Sequence, residues 1–151
     1  MRTHALIILV SIILLGCEPI DNQPDMIEIE PTLIAKDNLY GAGAEGLVEQ
    51  KMIITEERAW KILLAQMNSV NNVSDNFSET DIDFSQYQVI AIFSEVLPNG
   101  GSSLDFNMTA NVENIIFRIN TLGSDGIATT VMTQPFLIVK IPISNLPIVF
   151  Q

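Results

Sequence analysis

The sequence predicts an α+β fold: a β-rich antiparallel sheet or sandwich of six to seven strands with one packed helix. Three observations carry this reading. Residues 103–112 alternate cleanly: Leu104, Phe106, Met108, Ala110 and Val112 take one face, and Ser103, Asp105, Asn107, Thr109 and Asn111 the other. That period of two marks a half-exposed strand. Residues 87–96 are apolar on both faces, with Ile90 and Ile92 set against Val89, Ala91 and Phe93, as in a strand covered from two sides. Finally, Trp60, Leu63, Leu64 and Met67 fall at i, i+3, i+4 and i+7, one helical stripe.

The first residues read as an address. Arg2 gives a positive start, Ala5 to Leu15 is an apolar run, and Leu14-Leu15-Gly16-Cys17 follows at once. The run falls short of the ~20 residues that span a bilayer and suits a signal peptide. The last four residues resemble the lipobox of bacterial lipoproteins. That resemblance implies cleavage after residue 16 and a lipid on Cys17. Residues 1–16 are thus expected to be a signal peptide, residues 17–46 an anchored tether with a glycine loop, and residues 47–151 the domain. The expected location is the cell envelope, at the outer membrane of a Gram-negative bacterium, with the lipid as the membrane contact. Pro19, Pro24 and Pro31, with acidic residues at 18, 21, 25, 28, 30 and 37, favour an extended tether, with a short extended piece at 26–30.

Residues 41–46 spell G-x-G-x-x-G. A dinucleotide site needs a strand before this motif and a helix directly after it. Here Asp37-Asn38-Leu39-Tyr40 precedes it and the strand-like stretch 47–54 follows, so a flexible glycine loop opening the domain is expected. Thr55 is placed to cap the helix, with Glu56 and Glu57 in its first turn, where the helix dipole favours negative charge. Arg58, Lys61 and Gln66 face away from the stripe. Residues 68–81 are polar and read as a loop. Asp81-Ile82-Asp83-Phe84-Ser85 begins like a calcium loop, but position six is Gln86 and position twelve is Ile92, where Gly and Glu are required. An edge-strand pattern is the reading there.

Pro98-Asn99-Gly100-Gly101 predicts a tight hairpin turn. Residues 115–121 read as a strand with Ile115, Phe117 and Ile119 inward. Residues 123–126 should turn the chain, and 127–133, 136–141 and 148–150 should form three short strands bounded by Pro135, Pro142 and Pro147.

Composition limits the chemistry. The 151 residues hold 18 acidic and 7 basic side chains, a net charge of −11, which repels phosphate backbones and argues against nucleic-acid partners. His4 and Cys17, one of each in the chain, both lie in or beside the leader. The body therefore lacks a disulfide, a thiol nucleophile and an imidazole. Ser-His-Asp and Cys-His catalysis and zinc sites built on His or Cys are excluded there. No catalytic residue, metal or cofactor is expected. Carboxylate-only hydrolysis would need two acidic side chains ~5–9.5 Å apart, and the acidic residues are scattered over turns and solvent faces.

Three segments carry a resemblance: Val89-Ile90-Ala91-Ile92-Phe93, Leu97-Pro98-Asn99-Gly100-Gly101, and the run 133–142, Thr-Gln-Pro-Phe-Leu-Ile-Val-Lys-Ile-Pro. Together they resemble the C-terminal domain of the protease complex regulatory protein PrcB over about residues 47–150. In that family a hydrophobic strand leads to a P-x-G-G-aromatic turn, and a late Pro-aromatic strand closes the domain. Ser102 stands where the family carries its aromatic. The resemblance implies a secreted or lipid-anchored module that binds and stabilises a protease. The expected function is therefore a non-catalytic protein-interaction domain, and the alternative is a small-ligand or glycan-binding lipoprotein. Rigid Gly/Pro loops present backbone groups to partners. The candidate partner-binding residues are accordingly Pro98, Asn99, Gly100, Gly101 and Ser102 in one segment and Thr133, Gln134, Pro135 and Phe136 in the other. The competing reading of both is ordinary turns, with Phe136 in the core.

Overall fold

Alternation and apolar runs sort this chain into two packed sheets. The computed structural model describes residues 26–123 and 130–151. In chain order these form β1 (Ile27–Glu28), β2 (Thr32–Leu39), β3 (Gln50–Ile54), α1 (Glu57–Met67), a short 3-10 turn at Val73–Asn76, β4 (Tyr87–Phe93), β5 (Ser103–Ala110), β6 (Ile115–Leu122), β7 (Gln134–Pro142) and β8 (Ile148–Phe150). One sheet has the order β1-β5-β6-β8 and the other β2-β7-β4-β3. The expected sandwich with one packed helix is present, with eight strands among the described residues. The signal segment 1–16, Cys17 and the first part of the tether lie outside the described residues.

The second sheet is the middle layer. Its inner strands, β4 and β7, are buried on both faces. Val89, Ala91, Phe93, Phe136 and Ile138 pack against Trp60, Leu63 and Met67 of α1. Ile90, Ile92, Leu137, Val139 and Ile141 pack against Leu104, Met108, Ile115 and Phe117 of the first sheet. A strand with two covered faces has no polar side to alternate with, which is why both read as continuous apolar runs. The helical stripe is core as expected, and the Trp60 indole N–H donates to the Thr80 carbonyl at 2.8 Å. The N-cap is Glu56 rather than Thr55, with no side-chain cap bond.

Several sequence expectations change. First, the tether does not reach residue 46. Thr32–Leu39 is a full edge strand paired with β7, and Ile34, Ala35 and Leu39 are buried. A bulge between Leu33 and Ala35 turns both Ile34 and Ala35 inward. This breaks the period of two and hides the strand from pattern reading. Second, the Asn99-Gly100 turn does not join paired strands, because β4 and β5 lie in different sheets. The positive φ belongs to Gly101, at 98°, and the segment is a crossover between layers. Third, β8 runs parallel to β6, because the chain visits the other sheet through β7 before returning. Fourth, Val112 is 86% exposed. It sits in the β5–β6 turn, where the Asn111 side chain accepts from the Glu113 and Asn114 N–H groups. Fifth, residues 81–85 form no strand. Asp83 accepts from the Ser85 hydroxyl, the Ser85 N–H and the Gln86 amide. The Ser85 hydrogen bonds hold its carboxyl below the ordinary range. Of the strand expected at 127–133, residues 127–129 lie outside the described residues, 130–132 are not strand, and Thr133 makes an isolated bridge with Leu97. The turn expected at 123–126 lies mostly outside the described residues.

Candidate functional site

The two Gly/Pro segments meet at one end of the sandwich. There β4 ends, β7 begins, and the Ser94 N–H donates to the Pro135 carbonyl at 2.9 Å. The Leu97 N–H donates to the Thr133 carbonyl at 2.7 Å, and the Thr133 N–H returns to the Leu97 carbonyl at 3.0 Å. The Thr133 hydroxyl then donates to the Asn99 carbonyl at 2.8 Å. From the other side, the Asn38 amide at the end of β2 donates to the Ser102 carbonyl at 3.2 Å. The 98–102 crossover is thus pinned at both ends by side chains that sequence reading did not select for that purpose.

Accessibility divides the candidate residues. Pro98, Asn99 and Gly101 are exposed and Ser102 is half-buried, whereas Gly100 is buried. Thr133, Gln134, Pro135 and Phe136 are all buried, Phe136 and Gln134 to 1% exposure or less. These four cannot touch a partner through their side chains. They fix the loop that can. Phe136 stacks on Phe93 with ring centroids 6.2 Å apart, as a core residue does. Sequence reading missed an exposed aromatic nearby. Tyr40 directly follows Leu39, which pairs with Gln134, and it is 56% exposed.

The glycine loop belongs to the same end. Ala42 and Gly43 have φ of 52° and 86°, and the Ala44 N–H closes on the Gly41 carbonyl at 2.9 Å. Positive φ at both central positions defines a type I′ turn. The buried Glu45 carboxyl accepts the Gly41 N–H at 2.9 Å. It lies so close that a Cβ on Gly41 would meet its atoms at 2.4–2.5 Å. The motif thus folds onto its own glutamate and leads into a five-residue strand, not a helix. Gln134 clasps the assembly: its amide donates to the Leu47 carbonyl at 3.1 Å and the Ser94 carbonyl at 2.9 Å. Its Oε1 is buried and accepts no hydrogen bond from the described residues.

Beside this clasp the two sheets splay. Along the inward face of β6, Ile115 and Phe117 are buried, Ile119 is half-buried and Thr121 is exposed. The gap is an open cleft of about 470 Å³ with Ile92, Leu104 and Ile119 in its lining and Glu49, Lys51 and Thr121 among its polar residues. Lys51 pairs with Ile92 across β3 and β4, so it lies on the face of the sheet that looks toward the other layer. The Lys51 ammonium lies 5.7 Å from the centroid of the Phe150 ring. Its position two residues after Glu49, in a run otherwise apolar from Met52 to Ile54, was the available sequence signal. Among the described residues no three His, Cys, Asp or Glu side chains gather as metal ligands would, and no helix is long and apolar enough to cross a membrane.

Comparison of the chain with family models, curated proteins and solved structures finds no match.

Proposed function

We propose that this chain is a lipid-anchored envelope protein, held by Cys17, whose folded body is a non-catalytic protein-interaction domain. Its partner in this reading is another envelope protein, such as a protease that it binds or stabilises. The observation that carries the proposal is the pinning of the 98–102 crossover to Thr133 and Asn38. A loop with fixed backbone groups loses little entropy on binding, and loops held by a rigid scaffold are where proteins commonly place recognition. The exposed side chains here include Pro98, Asn99 and Tyr40, and the aromatic is of the kind that anchors interfaces. The resemblance of residues 47–150 to the PrcB C-terminal domain supports the same reading. With Ser102 at the family's aromatic position, Tyr40 is the aromatic available at this end.

The test is affinity capture from detergent-solubilised membranes with the wild type and with a variant carrying Pro98→Ala, Asn99→Ala and Gly101→Ala. A stoichiometric partner that the wild type retains and the variant loses supports the proposal. Equal recovery by both, or recovery by neither, refutes it. Cys17→Ser should release the protein from the membrane fraction, and unchanged detergent dependence would remove the anchor. The cleft of about 470 Å³ favours a second reading, a small-ligand or glycan site, because it has the size and mixed lining of such pockets. Thermal stabilisation by an envelope glycan or metabolite, abolished by Leu104→Trp, would select that reading.

A further inference from the structure

The Asn99-Gly100 pair in the crossover carries chemistry of its own. The main-chain nitrogen of the residue after an asparagine can attack the asparagine carboxamide and close a five-membered imide. The rate depends on how crowded that nitrogen is and on whether the two groups are free to meet. Glycine has no Cβ to crowd its nitrogen and bends readily toward the ring. Asn99 is exposed, and the Thr133 hydroxyl holds its main-chain carbonyl, not its side chain. Among the described residues, neither the Asn99 carboxamide nor the Gly100 N–H has a hydrogen-bond partner. Gly100 is buried in the closed loop, so base reaches its N–H as the loop opens, a local event that costs far less than global unfolding.

The other described asparagines lack this combination. Asn68 precedes the small Ser69, but its carboxamide donates to the Ser74 hydroxyl at 2.7 Å and accepts the Ser74 N–H at 3.0 Å. The Ser69 N–H is itself donated to the Gln66 carbonyl at 3.1 Å, so both reacting groups are engaged. Asn71, Asn72, Asn76, Asn107, Asn120 and Asn145 are exposed, but each precedes a residue with a side chain.

We propose that Asn99 is a site of self-modification: the folded chain converts it, through an imide with the Gly100 nitrogen, to aspartate and isoaspartate, ahead of every other described asparagine. Base takes the Gly100 proton, and the nitrogen bonds to the Asn99 carboxamide carbon. The carbon–NH2 bond breaks, and that nitrogen takes up a proton and leaves as ammonia. Water then opens the imide. Attack at the former side-chain carbonyl leaves aspartate, and attack at the main-chain carbonyl leaves isoaspartate. Nothing is oxidised or reduced. Either product adds one negative charge to the loop. Isoaspartate also routes the chain through the former side chain, so the carbonyl that pins the loop to Thr133 is no longer part of the main chain.

The experiment incubates the full, folded chain in mildly alkaline buffer for several weeks. Peptide mass spectrometry and an isoaspartate-specific methyltransferase read the products. Each conversion replaces NH2 by OH and adds one mass unit. Asn99 should gain this mass about tenfold or more faster than Asn68 or any other described asparagine, and its peptide should accept the methyl group. Gly100→Ala, at a position without positive φ, should slow the reaction about tenfold or more. Asn99→Gln, an exposed position where folding is undisturbed, would need a six-membered ring and should abolish methyl acceptance there. In urea, where Ser74 no longer holds it, Asn68 should speed up. An Asn99 unchanged over the incubation would overturn the proposal. So would mass gain no faster than at Asn71 in the same sample, or an equal rate in Gly100→Ala.

Discussion

Replacing Gln134 tests whether the clasp organises the loop end. The wild-type amide makes two donations, to Leu47 and Ser94. Each is worth about 1 kcal/mol net, so their loss costs about 2 kcal/mol. The same side chain buries an oxygen with no donor among the described residues, and removing that atom returns about 1 kcal/mol. Gln134→Leu, which also keeps apolar bulk, should therefore destabilise the fold by only about 1 kcal/mol. Gln134→Glu keeps the buried polar burden, removes both donors and sets an oxygen against two carbonyls. Its cost should be about 3 kcal/mol or more. For a domain of this size about 1 kcal/mol corresponds to roughly 4 °C in Tm, so the leucine and glutamate variants should separate by at least about 8 °C. Urea denaturation at neutral pH, with both variants measured beside the wild type, gives the free energies directly. A protonated carboxyl can restore one of the two donations, so the deficit of the glutamate variant should shrink as the pH falls. If the glutamate variant is as stable as the leucine variant, or both lie within about 0.5 kcal/mol of the wild type, the amide does not hold these strands and the clasp is wrong.

Three further outcomes follow from the same geometry. Gly41→Ala should cost about 1–3 kcal/mol by overpacking against the Glu45 carboxyl, and Gly41→Ala with Glu45→Ala should be less destabilised than Gly41→Ala alone; an additive pair would deny the contact. Phe136→Ala should cost about 3–5 kcal/mol in equilibrium unfolding, as a fully buried aromatic does, and a loss below about 1 kcal/mol would take Phe136 out of the core. The lowered Asp83 carboxyl contributes stability that is fully present above the ordinary carboxyl pKa of ~3.9 and is lost as pH falls through the lowered folded value. The stability gap between wild type and Asp83→Ala should therefore be constant above about pH 5 and close in acid; a gap that widens in acid would contradict the shift.

Patterns within about ten residues were legible in the sequence. The helix stripe from Trp60 to Met67, the two-faced burial of β4 and the alternation of β5 and β6 each follow from a local period, and each holds. The strand β2 was not legible, because its bulge spoils the period and the prolines and acidic residues that precede it resemble a tether. Its inclusion rests on pairing with β7, about a hundred residues downstream. The candidate site divided the same way. The two Gly/Pro segments were visible as motifs, but which of their residues face solvent was not.

The sequence by itself determined the class of the fold, through spacing that any local conformation must satisfy, and it removed imidazole and thiol chemistry from the body by composition. Tertiary structure alone decided that Pro98–Ser102 crosses between layers, that Thr133 and Gln134 support the loop from beneath, and that Lys51 lies on the last strand of its sheet among the described residues. These are outcomes of long-range pairing: a buried amide finds its two carbonyls only after three distant segments have been brought to one end of the sandwich.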